Sequence, residues 1–100
     1  MEFTTNNQGG ELSVQMSGRF TFSDQEKFRE VVNSVEEGNV NRCMLDLSGV
    51  EFIDSAGLGM LILLNDTAGE KNVGLTVRGA QGQVRKMLDI ANFGSILTLE

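Results

Sequence analysis

The amino-acid sequence predicts an α/β fold, with a mixed sheet of four to five strands and three main helices. Alternation of apolar and polar residues marks the strands, and apolar residues at i, i+3, i+4 and i+7 mark the helices. In chain order these patterns give β-β-α-β-α-β-α-β, in which the strands around each helix are joined by right-handed parallel crossovers. The 100 residues, 40% of them hydrophobic, suit one core. Residues 1–100 are therefore predicted to form a single domain.

The first two strands are predicted at residues 3–8 and 11–17, with Gly9-Gly10 as the turn between them. Glycines reach positive φ without steric cost, as a two-residue hairpin loop requires. From Leu12 to Met16 apolar residues alternate with polar ones, which indicates a strand with one buried face. The hairpin adds an antiparallel strand to an otherwise parallel sheet, so the sheet is predicted to be mixed.

The first helix is predicted to begin at a capping box, since Ser23 and Glu26 have the S-x-x-E spacing. It is predicted to end at Gly38, which suits the left-handed position after a helix. The residues that form its apolar face are Phe28, Val31, Val32 and Val35.

The remaining elements follow from the same periodicities and from the glycines between them. They are a buried strand at residues 40–47, a loop at 48–53, a second helix of about 12 to 15 residues from Asp54 onward, a strand at 73–78, a third helix through Ala91 that Phe93-Gly94 ends, and a short strand at 96–99. The second helix is apolar nearly all round from Leu58 to Leu64. Packing on a sheet needs only one apolar stripe, so part of this helix is predicted to face a partner.

The composition argues against catalysis and against nucleic-acid binding. The chain has no His, which removes the usual general base and the commonest metal ligand. Zinc would need clustered Cys or His, and we predict neither a metal nor another cofactor. A net charge of -6, with scattered Lys and Arg, opposes binding to a phosphate backbone. The predicted class is a protein-binding module, not an enzyme.

The compartment is predicted from segments that the sequence lacks. No run approaches the roughly 18 apolar residues of a membrane span, and the first residues do not have the pattern of a signal peptide. The single cysteine, Cys43, has no partner within the chain, which agrees with a reducing compartment. We expect a cytoplasmic protein that does not insert into membranes, and a monomer.

The segment from Asp54 to Gly59 is the strongest candidate for a functional site. Asp54 or Ser55 can accept from the unpaired N–H groups of the first helical turn, but that explains one such residue and not two. Gly57 and Gly59 each cost about 0.5–1 kcal/mol against Ala inside a helix, so we interpret them as room for a partner. Ser55 at a helix N-terminus also suits a phosphate, because the helix dipole tolerates its charge.

The run from Leu45 to Gly59, LDLSGVEFIDSAGLG, resembles the signature of STAS domains, in particular of bacterial anti-sigma factor antagonists. The resemblance implies that Ser55 is phosphorylated by a partner that is both anti-sigma factor and serine kinase. It implies that the unphosphorylated protein captures this kinase and frees a sigma factor or another target, and that a serine phosphatase restores Ser55. It also implies that Asp54 orients Ser55 or the docking surface. The expected partner-binding residues are Asp54, Ala56, Gly57, Leu58, Gly59, Thr21 and Phe22.

Two positions depart from the pattern of that family. Members often have Asp in a G-x-L-D run after the second strand, where this chain has Thr21 in Gly18-Arg19-Phe20-Thr21. Many members also have a second hydroxyl after the phosphorylated serine, and here that residue is Ala56. Ser55 is then the only hydroxyl residue between Asp54 and Gly59. The neighbouring Phe22 is compatible with a core position or with a docking position.

Two alternative functions are considered. Free-standing STAS-like proteins also resemble cytoplasmic subunits of lipid-transport ABC systems, in which the helix packs on a transporter subunit and Ser55 carries no phosphate. The transmembrane sulfate-transporter form is excluded by the absence of membrane spans. An enzyme or a nucleotide-binding domain is disfavoured, because the chain lacks G-x-G-x-x-G, G-x-x-x-x-G-K-[ST] and G-x-S-x-G.

Overall fold

The helices and strands in a computed structural model of the chain follow the predicted order. The structure describes residues 2–38, 40–92 and 98–99, the last two through their backbone alone. The strands are Glu2–Gln8 (β1), Glu11–Phe20 (β2), Arg42–Ile53 (β3), Gly74–Arg78 (β4) and Thr98–Leu99 (β5). The helices are Gln25–Glu36 (α1), Ser55–Glu70 (α2) and Gly82–Ile90 (α3), with one turn of 3-10 helix, Phe22–Asp24, before α1.

The five strands form one sheet in the order β1-β2-β3-β4-β5. β1 and β2 are antiparallel, whereas the other neighbours are parallel, so the predicted mixed sheet is confirmed. The turn between β1 and β2 uses Gly9 and Gly10 at φ of 58° and 86°, as predicted. The predicted helix end at Phe93-Gly94 and residues 96–97 of the predicted last strand lie outside the described residues.

The core lies between the helices and one face of the sheet. Along β2, Leu12, Val14 and Met16 are buried, while the residues between them are half-buried or exposed. This alternation leaves the opposite face of the sheet polar. The predicted apolar face of α1 is confirmed as buried, and the Phe28 ring lies 5.1 Å from the ring of Phe20 and 6.2 Å from that of Phe3. Within the described residues, no helix is long and apolar enough to cross a membrane.

The loop predicted at residues 48–53 is wrong, because these residues continue β3. They pair with the end of β2, from Ser17 opposite Gly49 to Phe20 opposite Ile53, and two register shifts accommodate the irregular stretch. Gly49 permits the close pairing, since a Cβ there would lie 2.9 Å from the Ser17 Cβ. As a result only Asp54 separates β3 from α2.

The capping box predicted for Ser23 and Glu26 is also wrong, because the reciprocal bonds form two residues earlier. The buried carboxylate of Asp24 accepts from the Thr21 N–H at 2.9 Å, and the Asp24 N–H donates to the Thr21 carbonyl at 2.9 Å. The Ser23 hydroxyl lies 3.0 Å from that of Thr21. The turn of 3-10 helix therefore includes the predicted cap residue Ser23, and α1 begins at Gln25. Gly38 follows α1 with a φ of 80°, as predicted.

Cys43 should make the free energy of unfolding depend on pH in the alkaline range. Burial within β3 raises the pKa of its thiol from 9.0 to about 11. The folded protein holds this proton more tightly than the unfolded chain does. The thiol's contribution to the free energy of unfolding should therefore be complete below pH 9 and decline as the pH rises from 9 toward 11. Urea unfolding of the wild type and of Cys43→Ala across this range tests the expectation, and parallel pH profiles for the two proteins would contradict it.

Candidate functional site

Asp54 connects two segments that follow adjacent strands. As the N-cap of α2, its Oδ1 accepts from the Gly57 N–H at 2.8 Å, which satisfies one of the unpaired donors of the first turn. Its Oδ2 accepts from the Phe22 N–H at 3.2 Å, and its own N–H donates to the Phe20 carbonyl at 3.3 Å. A single residue therefore attaches the start of α2 to the chain leaving β2.

The carboxylate of Asp54 acts on backbone amides and not on its neighbour Ser55. Both of the hydrogen bonds described for this carboxylate go to main-chain N–H groups, those of Gly57 and Phe22. Of the two roles expected for Asp54, the geometry favours shaping the surface near Ser55 over orienting the Ser55 hydroxyl itself.

Ser55 is the first residue of α2, and its side chain is exposed. Residues at i, i+4 and i+7 lie on one face of a helix, which places Gly59 and Ile62 on the same face as Ser55. Gly59 is exposed, and no described heavy atom outside the helix backbone lies within 4 Å of the position that a Cβ would take. Ala56 and Leu58 are half-buried, and Leu58 packs against the core. The face that begins at Ser55 is therefore open to solvent.

Gly57 has an internal role, in contrast to the interpretation that it makes room for a partner. The residue is buried, and a Cβ there would lie 2.6 Å from Ile53 Cγ1 and 2.8 Å from the Phe20 carbonyl oxygen. The first turn of α2 thus packs so closely on the ends of β2 and β3 that only glycine fits. Burial assigns Gly57 to packing within the domain and away from partner contact.

Three large apolar side chains are exposed in the 3-10 turn before α1 and on α2. Phe22 is 69% exposed, and on α2 Ile62 and Leu63 are 40% and 44% exposed. The exposure of Phe22 excludes the core position, whereas Phe20 is buried. Part of the apolar surface of α2 faces outward, as predicted. We call this set the Ser55 surface; its members are Phe22, Ser55, Gly59, Ile62 and Leu63.

Thr21 precedes the exposed Phe22 and helps to form the turn that presents it. Its N–H donates to the Asp24 carboxylate and the Phe22 N–H donates to the Asp54 carboxylate, so two consecutive backbone amides are each bonded to an aspartate. The threonine that replaces the family's usual acidic residue is half-buried, and its hydroxyl lies beside that of Ser23.

Sequence reasoning missed two glutamines at the start of α3. The Gln83 side chain accepts from the Ile53 N–H at 3.0 Å and donates to the Ile53 carbonyl at 3.0 Å. The Gln81 side chain donates to the Ser48 carbonyl at 2.9 Å. Their importance depends on where β3 ends, and no local pattern in the sequence reveals that position.

The remaining acidic groups and the cysteine form no metal centre in the described part of the chain. Residues 2–38 and 40–92 contain no group of three or more Cys, Asp or Glu residues placed to hold a metal ion. On the polar face of the sheet, hydrogen bonds from Ser48 lower the pKa of Asp46, and Arg78 adds to this effect with an ion pair at 3.3 Å. This arrangement is typical of a stabilised surface carboxylate.

Comparison with known proteins identifies the family. The family model described as "Mlab, STAS domain" matches residues 3–98, so the chain belongs to this family of STAS domains. A STAS-domain containing protein of Pseudomonas aeruginosa (strain UCBPP-PA14) is 36% identical over 91 residues, which cover 91% of this chain and 89% of that protein. The resemblance of the LDLSGVEFIDSAGLG run is thus confirmed at the level of the domain family.

Solved structures with the same fold come from proteins that are described in different ways. An anti-sigma factor antagonist from Mycobacterium paratuberculosis is 19% identical, with a TM-score of 0.85 over 98% of this chain and 83% of that one. The Bacillus cell fate determinant SpoIIAA in its phosphorylated form is 14% identical, with a TM-score of 0.79 over 99% and 91%. A sulfate transporter family protein from Wolinella succinogenes is 20% identical, with a TM-score of 0.77 over 90% and 73%. At these identities the likeness establishes the fold alone.

Alanine at Gly57 and at Gly59 should have opposite effects on stability. Gly57→Ala forces a methyl group against Ile53 and the Phe20 carbonyl, which should lower the free energy of unfolding by about 1–3 kcal/mol. Gly59→Ala meets open space inside a helix and should raise it by about 0.5–1 kcal/mol. Chemical denaturation of both variants measures the difference. Equal effects would mean that the close approach of α2 to the sheet is wrong.

Replacing Asp54 by Asn and by Ala should distinguish the contributions of the two hydrogen bonds that its carboxylate accepts. Asp54→Asn keeps one amide oxygen for Gly57 and loses the acceptor for Phe22, so it should destabilise by about 0.5–1.5 kcal/mol. Asp54→Ala also removes the cap, which should add about 0.5–2 kcal/mol. Amide NMR shifts should change at Phe22 in both variants and at Gly57 chiefly in Asp54→Ala. An unchanged Phe22 amide in both variants would contradict the bridge.

Proposed function

We propose that this protein is a cytoplasmic binding module of the anti-sigma factor antagonist type, and not an enzyme. In this proposal the Ser55 surface captures an anti-sigma factor that is also a serine kinase. The supporting observation is that Ser55, the first residue of α2, is exposed on the same helix face as the exposed Ile62 and directly follows Asp54, which holds the backbone of the exposed Phe22. The anti-sigma factor antagonist among the proteins of the same fold supports the proposal as an analogy.

Phosphorylation of Ser55 would switch this binding through charge. A phosphoryl group adds roughly -1.5 to -2 charges and three acceptor oxygens, and the N-terminus of α2 tolerates that charge within the domain. The Gly57 amide is already bonded to Asp54, and the Ser55 side chain points to solvent. The phosphate would therefore stay exposed. A partner seated on the apolar residues nearby would have to desolvate it, which opposes binding.

The other residues of the motif then have distinct roles. Asp54 holds the Phe22 backbone against the start of α2, and Thr21 joins in forming the turn around Phe22. Gly59 leaves room for the partner's backbone next to Ser55. The half-buried Ala56 and Leu58 contribute the edges of the surface. A serine phosphatase would restore the hydroxyl, no cofactor takes part, and the protein would act as a monomer.

The test begins with the modification itself. The wild type, Ser55→Ala and Ser23→Ala would be incubated with ATP and a lysate of the cell from which the chain comes, and then analysed by intact mass and peptide mapping. We expect one phosphoryl group, on Ser55, in the wild type and in Ser23→Ala, and none in Ser55→Ala. The Ser23 control matters because its hydroxyl is also exposed close to Phe22. Phosphorylation elsewhere, or none in a lysate with active serine kinases, would contradict the switch.

The second part of the test measures the affinity of the wild type and two Ser55 variants for the anti-sigma factor. Ser55→Ala should fold normally and bind the anti-sigma factor constitutively. Ser55→Asp should weaken that binding, although less than phosphate does, because a carboxylate carries less charge. Isothermal titration calorimetry with the purified kinase compares the wild type, Ser55→Ala and Ser55→Asp. A folded Ser55→Ala that no longer binds would contradict the proposed surface.

A second candidate is a subunit of a lipid-transport ABC system in which Ser55 carries no phosphate. It is favoured by the family description, which names Mlab and not an anti-sigma factor antagonist. The same exposed face of α2 would then rest permanently on a transporter subunit. Affinity purification of the tagged chain from its own cells separates the two functions. Recovery of transporter subunits with unmodified Ser55 would support this candidate, and recovery of a serine kinase would support the antagonist.

A further inference from the structure

β3 extends well beyond its neighbour β4. Among the described residues, β4 pairs with β3 only from Arg42 to Asp46, whereas β2 accompanies β3 as far as Ile53. The last residues of β3 therefore have a strand partner on the β2 side alone. Buried or half-buried backbone groups on the other side require different partners.

The start of α3 supplies those partners through side chains. Gln81 satisfies the Ser48 carbonyl, and Gln83 pairs with both the N–H and the carbonyl of Ile53, each at 3.0 Å. A primary amide that donates and accepts in this way reproduces the pairing that a neighbouring strand residue would provide. The turn before α3 also packs closely on β3. A Cβ added at Gly79 would lie 2.9 Å from the backbone nitrogen of Ser48.

Ile53 is the residue directly before Asp54, so its backbone determines where the Asp54 carboxylate lies. From the β2 side, the Asp54 N–H is held by the Phe20 carbonyl at 3.3 Å. From the α3 side, Gln83 holds both polar groups of Ile53. The carboxylate then reaches the amides of Gly57 and Phe22. Two sets of hydrogen bonds, joined by the covalent link between Ile53 and Asp54, thus connect α3 to Phe22 of the Ser55 surface.

We propose that Gln83 is a positioning residue for the Ser55 surface, which couples α3 to the phosphorylation site through the backbone of Ile53 and the carboxylate of Asp54. The functional part of this inference rests on the proposed function, while the coupling itself does not. A displacement of the N-terminus of α3 would change the geometry at Ser55 and Phe22 without contact between α3 and the partner.

Three full-length variants test the coupling by amide NMR without any partner. Gln83→Leu keeps the approximate volume and removes both bonds. Gln83→Glu keeps the acceptor for the Ile53 N–H and, while ionised, cannot donate to the Ile53 carbonyl. Gln81→Ala is the matched control, because it removes one glutamine bond from the same end of α3 at a residue remote from Asp54.

In Gln83→Leu the Ile53 amide should exchange with solvent about tenfold faster, and the amide shifts of Gly57 and Phe22 should move. In Gln83→Glu the shifts should differ from those of the wild type at neutral pH and approach those of the wild type recorded at the same acid pH, because a protonated carboxyl both donates and accepts as the glutamine amide does. A merely structural role would not produce this reversal. Unchanged Gly57 and Phe22 amides in Gln83→Leu, or equal changes in Gln81→Ala, would overturn the coupling.

The lysate phosphorylation assay then tests the functional part. Gln83→Leu should slow Ser55 phosphorylation by about tenfold relative to the wild type, the loss expected for one weakened hydrogen-bonded link, whereas Gln81→Ala should keep the wild-type rate. An unchanged rate in Gln83→Leu would overturn the positioning role. Absence of phosphorylation in the wild type itself would overturn the proposed function instead, and the NMR result would still decide the coupling.

Discussion

The two hydrogen bonds of the Asp54 carboxylate are the constraint on which the geometry around the Ser55 surface depends. β2 and β3 are adjacent and parallel, so their C-terminal ends meet at the same edge of the sheet and the segments that follow them leave side by side. One carboxylate can therefore bond to both segments, through the amides of Phe22 and Gly57. Gly57 also lets α2 approach the sheet closely, so its first turn is held both by hydrogen bonds and by packing.

The unusual composition of α2 places apolar side chains on both its inner and its outer side. Met60, Leu61, Leu64 and Ala68 face the core, and they alone would give an ordinary amphipathic helix. Ile62 and Leu63 add apolar side chains on the outer side, where they contribute nothing to the core. A helix that is apolar on both sides is typical of an element that packs within its own domain and also against another molecule.

The order of helices and strands could be predicted from the sequence, because period and turn chemistry are local properties. The apolar face of α1 and the Gly9-Gly10 hairpin were predicted correctly for that reason. The continuation of β3 was missed because Ser48-Gly49 has the composition of a turn, while pairing with β2 is a tertiary interaction. The internal role of Gly57 and the bonds of Gln83 were missed for the same reason, since both depend on what lies opposite in the folded chain. The phosphorylation of Ser55 stays a prediction based on its motif, and the exposure of Ser55 follows from its place on α2.

The separation of the two sides of α2 has an evolutionary consequence. A substitution at Ile62 or Leu63 alters the outer side of the helix while the residues that anchor it, Asp54 and Gly57, keep their bonds and contacts. Surface changes of this kind usually alter stability by less than about 0.5 kcal/mol. Under the proposed function, duplicated copies of such a gene could therefore diverge in partner choice at nearly constant stability.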